Sequence, residues 1–532
     1  MKYSFFNKVR GFALVNCTVY SPEEKYEAVA VLGNKVLKVS CEKEILRLSR
    51  ALSLKVYDLN GAVVLPGFID AHLHLAGLGF SLAQLDLRNV TSIEELKKLV
   101  AKEVSKKPPG AWILGRGWDQ EKFAEKRYPT RWDLDEVAPR NPVFLKRVCG
   151  HVAVTNSLAL RIAGISKKTP NPPGGVIDRD EAGEPTGILR EAALDFIYRV
   201  IVQKPEEYVD AVKRASLKLL SEGVTCVAAV SCDFNELKAL FQLSSKSELF
   251  LKVRAYVNYS TFVKLKDIVP PDISLKPVSL AGVKLLLDGS LGGRTAFLRE
   301  PYSDNPSTRG VLLVNKAKLE EILREVSRYR WQPAVHVIGD AALEVYLDVL
   351  KKVKLPRPRA EHASLTPPDL LDLMSELKVT PVVQPHFIVS DFWVVERLGD
   401  RAKYIYAFKS MLKKGLKIAF STDAPVEPSN PLQTVEAAIT RGQGVVKLSE
   451  ITPQEKLTVQ EALNAYTVGS AYACRIENYY GKIKEEYSAD LVILDKDPHK
   501  VNTREISSIK VLATIVEGRV AYGTLDLKRL EE

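Results

Sequence analysis

Residues 61–74 read GAVVLPGFIDAHLH: an apolar run, a Pro-Gly turn, and then Asp70, His72 and His74. Side chains alternate along a strand, so His72 and His74 fall on one face at one strand end. Two imidazoles a few ångströms apart are half of a metal site, although a structural histidine pair in isolation reads the same way. Three more residues close short apolar runs in the same manner: His336 in QPAVHVIGD, His362 in RAEHAS and Asp423 in KIAFSTDAP. Strands that each end in a ligand-type side chain require a fold that gathers strand ends, and together they predict a metal site.

Strand-like runs recur at 62–72, 223–230, 251–257, 280–289, 333–339, 357–364, 379–387 and 416–425. Helical patterns such as AALEVYLDVLKKV and DLLDLMSELK follow most of them. Eight such units predict an α/β fold, a TIM-type (β/α)8 barrel whose site lies at the carboxyl ends of its strands. Short β-like segments crowd both ends of the chain, including a hairpin turn at Glu517-Gly518. They predict a small β-sandwich built from residues 1–62 and 477–532, with the barrel at 63–80 and 206–476. Residues 81–205 are far more than one crossover needs. They carry strand-like pieces of their own and read as an inserted domain or lid after the first barrel strand.

Composition removes several function classes. The net charge is +11, but Lys and Arg alternate with Glu on helical stretches such as KLEEILREVSRYR, and no basic block stands alone. A solvated helix face explains that pattern, so no nucleic-acid partner is expected. No apolar run reaches 18 residues, so no membrane partner is expected. The six cysteines (17, 41, 149, 226, 232 and 474) form no CxxC pair and read as reduced thiols of a cytoplasmic protein. No phosphate-cradling glycine loop is present.

The motifs PGFIDAHLH, WILGRGWDQ, GHVAVTNSLAL, GVKLLLDGSLGGRTA, HVIGDAA and STDAPVEPSNPL resemble those of the amidohydrolase superfamily, in its N-substituted formamide deformylase-like branch. That resemblance implies a metal-dependent hydrolase of non-peptide C–N bonds acting on a small molecule. His72, His74 and Asp423 would hold the more buried metal, and His336 and His362 the second. Lys284 matches a lysine that many members carboxylate into a bridge between two metals. Asp423 would also shuttle protons. His151 and Arg294 resemble positions near the substrate, and barrels of this kind often pair as homodimers.

A divalent ion can bring the pKa of bound water from 15.7 to about 7, and a second ion about 3.5–4 Å away can polarise a carbonyl. Imidazole and carboxylate ligands suit two Zn²⁺, with Mn²⁺, Fe²⁺ or Co²⁺ as other occupants. A bare ammonium at Lys284, inside AGVKLLLDG, would be costly to bury and would repel the metals. A carbamate removes both penalties; the alternative is a protonated Lys284 paired with Asp288. Asp70 is expected to orient one of the two following histidines. His386, in VVQPHF, is assigned to the oxyanion or the substrate. Trp118 and Asp119 are candidates for the pocket wall, with core packing as the other reading of Trp118. The same site chemistry serves lactones, esters, phosphotriesters or deamination, and a catalytically silent binding barrel is the non-enzyme reading.

Overall fold

The chain forms an eight-stranded parallel sheet with every predicted metal ligand in a strand or just past a strand's end, in a computed structural model describing residues 11–21, 24–147, 150, 152–172, 174–201, 203–271 and 276–526. Its strands are β1 (Phe68–Leu73), β2 (Val224–Cys232), β3 (Lys252–Asn258), β4 (Val278–Leu286), β5 (Gln332–Val337), β6 (Arg359–His362), β7 (Thr380–Val383) and β8 (Ala419–Phe420). They pair in sequence order, which leaves β1 and β8 at the two edges. Two main-chain bonds join those edges: Asp423 N–H donates to the His72 carbonyl, and His74 N–H to the Ala424 carbonyl, each at 2.8 Å. The result is the TIM-type barrel that the strand–helix alternation predicts.

Period-2 alternation sorts the strands' side chains. Val253, Val283, Leu285, Val335 and Val337 pack outward into the large core shared with the helices. Ala228, Tyr256, Ala334, Val382 and Ala419 fill a smaller core within the barrel. The helices carry matching stripes. In Lys316–Arg328, Leu319, Ile322, Leu323 and Val326 are buried at helical spacing, and the Asn315 side chain caps the first turn by accepting from Lys318 N–H. Asp233 and Asn258 cap the helices after β2 and β3 in the same way.

The run expected as one strand over 62–72 is two. Val63–Pro66 joins a sandwich sheet, pairing with Thr18 and Val19 on one side and Leu491–Leu494 on the other. Gly67 is the hand-over: its N–H goes to Asp490 of the sandwich, and the next, of Phe68, goes to Gly223 of the barrel. A Cβ at Gly67 would stand 2.3 Å from the Thr225 side chain, so only glycine passes there. A second sheet of Lys35–Ser40, Ala28–Leu32, Gly11–Val15 and Lys55–Asp58 lies over the first, and Leu14, Val29, Val64, Leu491 and Ile493 share the core between them. At the hairpin turn, Glu517 and Gly518 both take positive φ, 49° and 70°. β7 and β8 are shorter than their apolar runs because the chain leaves the ladder early to bring Gln384 and Asp423 inward.

Contacts set Phe80–Glu207 apart as a unit of its own. It holds a six-stranded mixed sheet, in the order Gly175–Arg179, Pro185–Glu191, Val152–Thr155, Val143–Arg147, Ile113–Trp118 and Leu85–Asp86. Two apolar clusters form its cores, one around Trp118, Leu96 and Val143 and one around Phe144, Leu160 and Leu189. Among the described residues no helix is long and apolar enough to cross a membrane, and Cys17, Cys41, Cys226, Cys232 and Cys474 are free thiols. Cys149 lies outside the described residues.

Gly282 lets β4 bring Lys284 into the barrel. A Cβ there would stand 2.1 Å from the Gln332 carbonyl oxygen and 2.6 Å from the Tyr256 ring. Gly282→Ala is expected to overpack the interior and destabilise the barrel by about 1–3 kcal/mol. Urea unfolding would show it as a lower midpoint with an unchanged m-value.

Candidate metal centre

His72 and His74 project from the end of β1, and Asp423 from the turn after β8, where the two seam bonds hold them together. Each Nε2 lies 3.3 Å from Asp423 Oδ1. The three ligand atoms fall within 4.8 Å of one another. His72 Nε2 and Asp423 Oδ1 are buried, and among the described residues neither has a hydrogen-bond partner. Unpaired buried donors and acceptors are costly, and three converging ligand atoms suit a divalent cation. Burial by itself would raise the Asp423 carboxyl, but the two imidazoles beside it hold it well below the usual range.

The other predicted ligands lie beside this group. The His362 ring lies 5.0 Å from that of His72 and 4.5 Å from that of His336, centroid to centroid. His336 Nε2–H donates to the Gly289 carbonyl at 2.9 Å. A carbonyl only accepts, so this bond leaves Nδ1 of His336 as the free ligand atom. His362 Nδ1–H donates to Gln384 Oε1 at 2.8 Å, which leaves its Nε2. The Gln384 amide is oriented by its own donations to Ser421 Oγ at 2.9 Å and the Val382 carbonyl at 3.3 Å. Burial lowers His336 to about 3 and His362 well below the usual imidazole range, keeping both neutral as ligands must be.

Lys284 is buried beside them. Burial lowers its ammonium to about 8, against the opposing pull of the Glu361 and Asp423 charges. Asp288, its expected alternative partner, accepts instead from the main-chain N–H groups of Gly339, Phe297 and Ile338 at 2.8, 3.0 and 3.1 Å. It thereby ties the loop after β4 to the end of β5.

Left-handed backbone places two of the candidate ligands. In a regular strand Glu361 and His362 would face opposite ways, yet both reach His72. Positive φ at His362 (69°) and Ala363 (41°) reverses the alternation, and Asp423 sits at φ 57°. Strain of this kind collects at functional sites, where the surrounding structure imposes it.

Asp70 differs from expectation. It accepts from Thr422 Oγ1 at 2.6 Å, and from the main-chain N–H groups of His72 at 3.1 Å and Thr422 at 3.2 Å, not from an imidazole. The cause is a bulge: Asp70 to Leu73 of β1 spans the two-residue step from Val227 to Ala229 of β2. The extra residue takes Asp70 off the face of His72 and His74, and Asp70 anchors the β8 turn instead.

The imidazole partner of His72 is Glu361, which accepts from Nδ1–H. Sequence reading passed over it, although Arg359 and Glu361 stand two apart on one strand face beside a predicted ligand. Glu427, which accepts from Nδ1–H of His386, was missed as well; nothing local in VEPSNP marks it. His386 lies past the end of β7, at the start of the Phe387–Ser390 helix. Arg294 has its guanidinium on Asp304, Nη2 to Oδ2 at 2.7 Å. Trp118 is fully buried in its own unit and donates to the Leu145 carbonyl at 2.8 Å, and Asp119 pairs with Arg147 at 2.7 Å. His151 lies outside the described residues.

The chain is similar to known proteins over most of its length. The family model described as the amidohydrolase family matches residues 55–522. The protein YtcJ of Bacillus subtilis (strain 168) is 35% identical, over 87% of this chain and 90% of its own length. The N-substituted formamide deformylase of Arthrobacter pascens is 27% identical, over 97% of this chain and 99% of its own. Among solved structures, an uncharacterized metal-dependent hydrolase from Pyrococcus horikoshii OT3 superposes with a TM-score of 0.81 at 39% identity, covering 93% of this chain and 99% of that one. The chain belongs to the amidohydrolase family.

Proposed function

We propose that this enzyme hydrolyses an amide or N-formyl bond of a small molecule. The observation that carries the reading is the pair of buried, unpartnered ligand atoms, His72 Nε2 and Asp423 Oδ1, converging with His74. The likeness to a protein named for N-substituted formamide deformylation supports the choice of bond. His72, His74 and Asp423 would hold one divalent ion; His336, His362 and carboxylated Lys284 would hold a second, with Zn²⁺ the first choice for both. Such ions supply acidified water and polarise the scissile carbonyl.

The chain's own groups do the rest. Asp423 takes a proton from the attacking water and delivers it to the leaving nitrogen as the C–N bond breaks, which makes it the general acid–base. His386, braced through Nδ1 by Glu427, keeps Nε2 for the substrate carbonyl. The Lys284 amine adds to CO₂ and releases a proton, and so replaces a buried cation with an anionic carbamate that would serve as a ligand. Its lowered basicity leaves far more free amine near neutral pH than an exposed lysine has.

Two outcomes test this reading. Against a panel of N-substituted formamides, N-acyl amines, lactones and phosphotriesters, turnover is expected on the formamides or amides. Removing metal with a chelator should abolish it, and Asp423→Asn should lower kcat about 10²–10⁴-fold. Turnover confined to lactones or phosphotriesters would overturn the choice of bond. Second, stripped enzyme reloaded with Zn²⁺ should take up more metal when bicarbonate is added, measured by elemental mass spectrometry. Lys284→Ala should lose that response; uptake indifferent to bicarbonate in the parent would refute the carbamate.

A further inference from the structure

The three innermost histidines each lean on a different acceptor. Behind His336 is a main-chain carbonyl at 2.9 Å, with the Asp288 carboxylate farther off at 3.6 Å, and behind His362 a neutral amide. Behind His72 is a carboxylate, Glu361, fully buried with its partner Arg359. Arg359 grips that carboxylate with two parallel bonds, Nε to Oε1 at 2.7 Å and Nη2 to Oε2 at 2.9 Å. The guanidinium is fixed in turn: Nη2 also donates to the Ala71 carbonyl at 2.6 Å, and its carbon lies 4.2 Å from the centroid of the Tyr256 ring. The Ala71 carbonyl belongs to the bulged stretch of β1, where ladder pairing is interrupted.

We infer that Glu361, clamped by Arg359, is a positioning residue for the metal centre that makes the His72/His74/Asp423 subsite its tight-binding half. The inference rests on the divalent-metal reading given above. The physics has two parts. An acceptor on Nδ1–H fixes the ring so that Nε2 alone faces the ion. An ionised acceptor also draws on the N–H more strongly than a neutral one, which makes Nε2 a better ligand. The ions therefore differ in hold. In the His336/His362/Lys284 subsite the imidazoles are bonded to uncharged acceptors; the Asp288 carboxylate stands 3.6 Å from His336 Nε2 but is taken up by three main-chain N–H groups, so this subsite gains an anionic ligand only once Lys284 is carboxylated and is the exchangeable half.

The test is Zn²⁺ binding by the full-length protein, by competition with a chromogenic chelator in the presence of bicarbonate. The parent should bind two equivalents, one tighter than the other. Glu361→Gln should weaken the tight equivalent about 10–100-fold and leave the weak one unchanged. Gln384→Ala should do the reverse. Because Glu361→Gln leaves Arg359 buried without its counter-charge, the double variant Arg359→Met/Glu361→Gln is measured alongside it, and circular dichroism and unfolding midpoints check the fold. With Co²⁺ as the probe, the visible absorption of the tight equivalent should change in the Glu361 variants and not in Gln384→Ala. If folded Glu361 variants keep the tight equivalent's affinity, or lose affinity equally at both subsites, the inference is overturned. A parent that binds no Zn²⁺ or Co²⁺ removes the metal reading itself and this inference with it.

Discussion

The seam between β1 and the turn after β8 is the contact on which the rest depends. Its two main-chain bonds close the sheet and, in the same act, bring His72, His74 and Asp423 within reach of one another. Closing the barrel at this register is thus also what sets these three side chains side by side. The arrangement is unfavourable locally. It buries His72 Nε2 and Asp423 Oδ1 without hydrogen-bond partners among the described residues and holds Asp423 in left-handed backbone. The apolar shell outside the barrel, from Val253 on β3 to Val337 on β5, supplies the stability that keeps the seam shut.

Much of this was legible in the sequence because barrel strands announce themselves by period and by what ends them. His72, His74, His336, His362 and Asp423 each close an apolar run, and the chain does bring them together. What escaped were departures from regular strand geometry. Parity from His72 puts Asp70 on the ligand face, but one bulge residue turns it toward Thr422. Parity from His362 puts Glu361 on the far face, but left-handed backbone at His362 and Ala363 lets both reach His72. The run at 62–72 looks continuous because both its halves are apolar; only the crowding of Gly67 against Thr225 divides sandwich from barrel. Glu427 escaped for another reason. Its partnership with His386 depends on which loops meet above the barrel, and no local pattern encodes that.

These irregularities form one dependent series. The bulge in β1 displaces Asp70, which then anchors Thr422 and with it the turn that carries Asp423. Arg359 bonds the Ala71 carbonyl in that bulged stretch, and so sits where it can hold Glu361, which orients the His72 ring. One extra residue in one strand thus bears on both a ligand from β8 and the ring of a ligand from β1. A strictly regular β1 would leave Asp70 on the ligand face, with no carboxylate to secure the β8 turn.

The polar interior follows the same logic. An ion pair inside a barrel does not stabilise it merely by being there, since desolvation offsets the attraction and apolar replacements are often as stable. Burial would raise the Glu361 carboxyl, yet Arg359 and His72 hold it far below its usual range. Arg359 meets three partners of different kinds: a carboxylate, a carbonyl and an aromatic face. Tyr256, under that guanidinium, donates to Gln332 Oε1 at 2.8 Å, and Gln332 donates to the Arg357 and Ala473 carbonyls. A layer engaged at this many points has few alternative arrangements, even with Arg359 Nη1 left without a hydrogen-bond partner among the described residues, and the candidate ligands above it inherit its rigidity. Alanines and valines in the same layer would pack as well, but they would leave the His72 ring free to turn, and a ligand that turns holds its ion less tightly.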